Sequence, residues 1–315
     1  MIFATDESGG FALMRETFDF SLLTTLVCPP SRRLALAEFI EDRCRAWGLD
    51  ELHGVDLDSA SRREVALFLA HQEVVWNATV IDNEIFPAEE VEPWRTGQLA
   101  EMDRTWAASQ SRGTTHPRYA GGIDHLRRLL DHGTSEASFV EYAIAMPRHI
   151  QDAVQAAISR YRGPAWASDW EASELLFDAK DRRGERLVSG ILFPILASAE
   201  MALTLPVDYQ EEGHPLRATH RSGAGGLDLV SFFGGEPTFP SSTDEPLIQL
   251  VDLIAYVAQR YLRFADDLEN ASTYRLLRRR QYPTGPARFR FIARGAGAKE
   301  DPPRYRHVWA PGALS

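Results

Sequence analysis

Cys28 and Cys44 are the only cysteines in 315 residues. A disulfide framework is therefore excluded, and the usage suits a reducing cytoplasm. No basic segment followed by an apolar run opens the chain, so no signal peptide is expected. Long hydrophobic runs are missing as well. The most apolar window, 187–207, is broken by Gly190, Pro194, Glu200 and Pro206 and reads as a buried helix, not a membrane span. There is no internal repeat and no low-complexity segment. Positive charge is in deficit. A net charge of −11 argues against a protein that coats nucleic acid through bulk electrostatics.

What is present is ordinary in amount but uneven in place. Hydrophobic residues make up 44% and charged residues 25%, enough for a globular chain with one large domain or two smaller ones. Ten basic residues lie between Arg275 and Arg306, opposed only by Glu300 and Asp301. That segment carries +8 and leaves −19 for the remainder, an asymmetry that points to a polyanionic partner or to an acidic face nearby.

The opening stretch, Ile2 to Gly10, reads as a short buried strand that ends on Asp6 and Glu7, with Ser8-Gly9-Gly10 as its turn. Phe11–Phe20 and Leu22–Cys28 read as two more strands. Ser31 is expected to cap a helix whose buried stripe is Leu34, Ala37, Ile40, Cys44 and Trp47, ended by Gly48. Ser61 to Glu64 has capping-box spacing and opens a second helix. Val74–Ile81 reads as a strand ending on Asp82. Residues 87–163 read as a helical insertion, with stripes at Trp94, Leu99, Met102 and Trp106, at Ile123 to Leu130, and at Ile150 to Tyr161. Glu174–Asp178 is another apolar strand ending on an acid. A helix over 185–203 and a strand over Leu227–Phe233 follow. Thr243 is a possible cap for a helix with Pro246 in its first turn and apolar positions from Leu247 to Tyr261. The expected organisation is an α/β domain over 1–270, with a basic C-terminal extension over 271–315.

Three separate elements each place a single acid among apolar neighbours: Asp6, Asp178 and Asp252. Glu51 joins them, and Glu7, His53, Asp82 and Lys180 are further candidates. A buried carboxylate costs several kcal/mol, on the order of a broken buried pair, unless something positive neutralises it. Carboxylates converging from strand ends and one helix make an all-oxygen site suited to Mg²⁺ or Mn²⁺. Two such ions, about 3.5–4 Å apart, clamp the attacking and leaving oxygens in phosphodiester hydrolysis. The competing reading of Asp6 and Glu7 is a plain turn start. Adjacent strand side chains point to opposite faces, so Asp6 and Glu7 cannot both aim inward. His125 and His132, seven residues apart, are read as surface polarity and not as a ligand pair.

These stretches resemble the bacterial family called domain of unknown function 3800, which is assigned to the ribonuclease-H-like fold. The matching residues are Phe3-Ala4-Thr5-Asp6-Glu7-Ser8-Gly9, Glu51-Leu52-His53-Gly54, Leu175-Leu176-Phe177-Asp178 and Ile248-Gln249-Leu250-Val251-Asp252-Leu253-Ile254-Ala255, in that order. Val251 departs from the family's Ala, and Thr238–Asp244 lacks its usual Lys. The resemblance implies a mixed central sheet with helices on both faces and acids above the middle strands. It also implies nucleic-acid cleavage and an association with mobile-element or phage-defence loci.

The expectation is a cytoplasmic, Mg²⁺- or Mn²⁺-dependent nuclease acting on DNA or RNA. Asp6, Glu51, Asp178 and Asp252 would hold the metal, and Arg278, Arg279, Arg280, Arg288 and Arg290 would help hold the strand. Tyr282, Phe289, Phe291 and Tyr305 among those arginines fit either base stacking or a docked hairpin over Ala287–Ala293. The alternatives are a non-catalytic docking or nucleic-acid-sensing module that works with a protein partner, and a metal-dependent phosphoesterase on small nucleotides.

Overall fold

The computed structural model describes residues 1–8, 20–82, 137–178, 214–218, 232–234, 237–264, 266–282 and 289–292, with single helical positions between 93 and 127 and at 185. Expectations at 9–19, the stripe at Ile123 to Leu130, His125, His132, Lys180, the helix over 185–203, Arg288 and Tyr305 lie outside the described residues.

The architecture is mixed α/β. Strand β1 (Ile2–Ser8) is central, between β2 (Phe20–Cys28), antiparallel, and β4 (Glu174–Phe177), parallel. Strand β3 (Val75–Asp82) runs antiparallel to β2. Two short strands, β5 (Gln281–Tyr282) and β6 (Arg290–Ile292), follow one another in parallel along the outer edge of β3. All nine residues of β2 are buried, so it needs apolar or hydrogen-bonded side chains on both faces; Leu, Val and Thr supply them.

Strand alternation divides the core in two. Met1, Phe3, Leu23, Val27, Val75, Leu175 and Phe177 face helix α3 (Ala137–Arg160), which has Pro147 inside it. Ile2, Ala4, Leu22, Leu26, Trp76, Ala78 and Leu176 face the other layer. That layer is α1 (Pro30–Trp47), α2 (Ser59–His71), α4 (Pro246–Arg263) and α5 (Leu268–Leu277).

Several local expectations are corrected. Helix α1 begins at Pro30 with Pro29 before it, because a proline at the first position loses no needed N–H; Ser31 is already inside. Its buried stripe is Leu36, Ile40 and Cys44, each four residues on, while Leu34 is 69% exposed. Asp58, not Ser61, caps α2 by accepting from the Ser61 N–H at 2.7 Å. Glu245, not Thr243, caps α4, and its carboxylate is buried against Arg33. Of the strand expected over Leu227–Phe233, residues 227–231 lie outside the described residues, and Phe232 and Phe233 are helical and pack on Phe3.

The third stripe of the expected insertion, Ile150 to Tyr161, is fully buried and forms the layer under the sheet. The described part of the basic C-terminal segment, 271–282 and 289–292, is likewise woven in. Helix α5 packs on α2 and α4, and β5 and β6 extend the sheet. Phe289 is buried against Tyr274, with ring centroids 5.8 Å apart, so it is not a surface for stacking bases. Arg290–Ile292 pairs with Thr79–Ile81 of β3, and residues 287, 288 and 293 of the expected hairpin lie outside the described residues.

Candidate functional site

Asp6 follows Ile2 and Ala4 in the alternation and so belongs to the α4 face of β1. It is only 8% exposed. Glu7 falls on the opposite, α3 face. Asp178 is the first residue beyond β4. The β1–β4 register ends at Thr5 opposite Phe177, and the Asp178 N–H donates to the Thr5 carbonyl at 3.3 Å. Asp178 therefore stands beside Asp6, one strand spacing of about 4.8 Å away, and on the same face as Leu176. Two carboxylates are thus brought side by side at the end of the central strands.

Helix α4 supplies the third. Its apolar face packs on the sheet, and Gln249 and Asp252, three residues apart, share the side turned to the Glu51–Gly54 loop. Two backbone N–H groups of that loop are clipped to the helix. Leu52 donates to Gln249 Oε1 at 2.8 Å, and Gly54 donates to Asp252 Oδ2 at 2.8 Å. Gln249 also donates to the Ser242 carbonyl at 2.7 Å, and the Ser242 hydroxyl donates to Glu51 Oε2 at 2.7 Å. The loop can lie this close only because residue 54 has no side chain. A Cβ there would sit 2.7 Å from Tyr256 Cβ and 3.2 Å from Leu253 Cα.

His53 joins the two halves of this network. Its Nε2 is 2.6 Å from Glu51 Oε1, and its Nδ1 is 3.7 Å from Asp252 Oδ2. Burial alone would lower the imidazole pKa. The hydrogen bond and charge of Glu51, with the charges of Asp252 and Asp56, outweigh it and raise the pKa above the ordinary 6.5. Glu51 moves the other way: its hydrogen bond from Ser242 outweighs burial and, with His53, lowers it. Burial raises the Asp252 carboxyl, and the negative charge of Asp178 raises it further, against the Gly54 N–H and His53.

Asp6, Asp178, Asp252, Glu51 and His53 therefore belong to one region above the central strands. Asp82 does not. It lies on β3, two strands from β1 and four residues, or about 13 Å, beyond the level of Asp6. Arg278, Arg279 and Arg280 precede β5 at the far end of the sheet. By strand spacing Arg280 is about 17 Å from Asp6. Arg290 is on β6, beside Thr79.

The donor set, carboxylate oxygens with one imidazole, has the chemistry of a Mg²⁺ or Mn²⁺ site. A cation would relieve both effects that raise Asp252, its burial and the charge of Asp178. Among the described residues, however, no three His, Cys, Asp or Glu side chains are already arranged to hold an ion. The fit is one of donor type, not of arrangement. Neither cysteine offers an alternative nucleophile: both are buried, and burial pushes the Cys28 thiol up to about 12.

Sequence reasoning missed Gln249, Ser242 and Gly54 as the parts that set the loop on the helix. Only the i, i+3 spacing of Gln249 and Asp252 carried a readable signal. It also missed a polar network on the other face. His149, fully buried on α3, lies 2.8 Å through Nε2 from Thr25 Oγ1 and 2.9 Å through Nδ1 from Thr79 Oγ1. Thr25 continues to Thr5 at 2.7 Å, and the Asn77 amide donates to the His149 carbonyl at 3.2 Å. The chain matches no family model, no curated protein and no solved structure.

Proposed function

We propose that this protein is a divalent-metal-dependent phosphodiesterase of the nuclease type, built on a ribonuclease-H-like sheet. The observation that carries the reading is the pairing of Asp6 with Asp178 at the ends of adjacent parallel strands, with Asp252 facing Asp178 closely enough to be raised by its charge. Three acids that destabilise one another have a physical reason to share a site if a cation is their ligand.

Asp6, Asp178 and Asp252 would hold Mg²⁺ or Mn²⁺, with Glu51 at the margin. Bound there, the metal would polarise the phosphodiester and lower the pKa of an attacking water. The protein's own part is positioning and proton transfer. Asp252 keeps Oδ2 on the Gly54 N–H and leaves Oδ1 for a ligand. His53, held protonated by Glu51 beyond its usual range, can give a proton to a departing oxygen beside Asp252. Glu51 fixes the ring and would stabilise its charged form.

A cleavage assay with Mn²⁺ on single-stranded DNA and RNA tests this. Asp6→Asn and Asp252→Asn should each abolish cleavage without loss of fold. Full activity in both would overturn it. A second reading, a non-catalytic docking module, is favoured by the open arrangement of the acids. It separates from the first by Mn²⁺ titration: a docking module shows no Asp6-dependent rise in melting temperature.

A further inference from the structure

Away from the carboxylates, at the opposite end of the sheet and on the α3 side, lies a cleft of about 280 Å³. Its walls come from the start of β3, the last turn of α3 and the turn leading into β5. Four guanidinium groups line it: Arg160, Arg162, Arg279 and Arg280. Among the described residues, no acidic one does. The remaining surface is apolar at Val74, Val75 and Ala156, with Ser159, Gln281 and Tyr282 as neutral polar residues.

This concentration of one sign is unexpected in a chain of net charge −11. Only part of it is balanced by protein groups. Arg160 pairs with Glu73 at 2.9 Å, which holds that side chain in place. Arg280 donates through Nε to the Ala70 carbonyl at 3.1 Å, which fixes its plane and leaves both terminal nitrogens unused among the described residues. Arg279 makes no hydrogen bond or ion pair with any described residue. Like charges gathered in a recess repel one another unless an anion enters. Guanidinium forks match phosphate oxygens in pairs, which a scatter of surface lysines would not do.

We propose that this cleft binds a small ligand through a diphosphate group, with Arg160, Arg162, Arg279 and Arg280 as the anion cradle. The volume is near the lower end of small-molecule sites, on the order of 300 Å³, and accommodates a diphosphate with part of a nucleoside against Val74, Val75 and Ala156. A scissile strand is the poorer match, because the carboxylates lie on the other face of the sheet. The site is separate from the proposed metal centre and does not depend on it.

Calorimetric titration of the full chain with inorganic pyrophosphate and with ADP, both in excess chelator, tests the proposal. Saturable binding of either is expected, weakened about tenfold or more in Arg279→Ala and further in the Arg160→Ala, Arg279→Ala double variant. Asp252→Asn should bind as wild type does, so failure of the metal-site reading leaves this result standing. Tighter binding of ADP would assign the apolar wall to a nucleoside, and equal affinity would assign the diphosphate alone. No binding of either anion overturns the proposal. So does binding indifferent to the arginine variants, or binding confined to a single-stranded oligonucleotide. Arg279 is exposed, so its loss does not endanger folding; an unchanged melting temperature in the absence of anion verifies this.

Discussion

Gly54→Ala should release the Glu51–Gly54 loop from α4 and disable the carboxylate site without touching a carboxylate. The new Cβ would lie 2.7 Å from Tyr256 Cβ, 3.0 Å from its Cγ and 3.2 Å from Leu253 Cα. None of these atoms is the free end of a side chain. Tyr256 is also held by Arg62 and Arg260 at 5.2 and 5.8 Å from its ring centre. Ordinary carbon contact begins near about 3.5 Å, so the loop must retreat by roughly 1 Å. That stretches the 2.8 Å bond from the Gly54 N–H to Asp252 beyond hydrogen-bond range. Overpacking costs about 1–3 kcal/mol. A lost bond to a charged group costs about 1.5–3 kcal/mol. The stiffer unfolded chain returns about 0.4–1 kcal/mol. The net loss is about 2–5 kcal/mol, read from urea unfolding midpoints at constant slope. Gly48→Ala is the control: its φ of +67° brings strain, but no atom lies within 4 Å of the new Cβ. The Mn²⁺-induced rise in melting temperature should fall in Gly54→Ala and persist in Gly48→Ala. Gly54→Ala within about 0.5 kcal/mol of wild type would refute the close-approach reasoning.

Asp252→Asn removes a buried charge that Asp178 repels and keeps an oxygen for the Gly54 N–H. The metal-free chain should become more stable while Mn²⁺ stabilisation disappears, both visible in one thermal melt series. His53 has a raised pKa, so its contribution is complete below about 6.5 and lost as pH rises through the higher folded value. Wild type should therefore lose melting temperature against His53→Gln across that window, and parallel curves would contradict the Glu51–His53–Asp252 contact. Glu51 has the opposite sense: its contribution is present above 4.5 and lost as pH falls through the lowered folded value, which Glu51→Gln should abolish. His149→Leu removes the ring partner of Thr79 and leaves Thr25 with Thr5 alone, and should cost about 1–3 kcal/mol by chemical denaturation, with no effect on Mn²⁺ binding.

Strand positions and the three central acids were legible because they rest on short-range pattern. An apolar run ending on an acid marks β1, β3 and β4 alike, and the 3.6-residue period marks α4. What pattern could not supply was register. Asp82 ends a strand just as Asp6 does, yet β3 overruns the level of Asp6 by four residues, which only the pairing reveals. The caps were misplaced by two or three residues because several side chains able to cap stand near each helix start. The C-terminal segment read as an appendage because its charge dominates its composition. Its two short strands are nevertheless paired with β3, more than two hundred residues away in sequence, and Phe289 is buried on Tyr274.

The two faces of β1 deal with polar residues in opposite ways. Thr5 and Asp6 are neighbours in sequence and point to opposite sides of one strand. On the α3 side, Thr5 enters a hydrogen-bonded network with Thr25, His149 and Thr79, which links hydroxyls to both ring nitrogens. Such a network contributes to stability. On the α4 side, Asp6, Asp178 and Asp252 present only acceptors and only negative charge, and the structural partners of Asp252, Gly54 and His53, do not prevent its pKa from rising. Replacing the polar residues of the first face should change unfolding midpoints and leave cation response intact. Replacing those of the second should change cation response and leave stability equal or higher. A double-mutant cycle between His149→Leu and Asp252→Asn should be additive in stability, because the sheet lies between them. A coupling above about 0.5 kcal/mol would mean that the faces are not independent and that Thr5 belongs to the site.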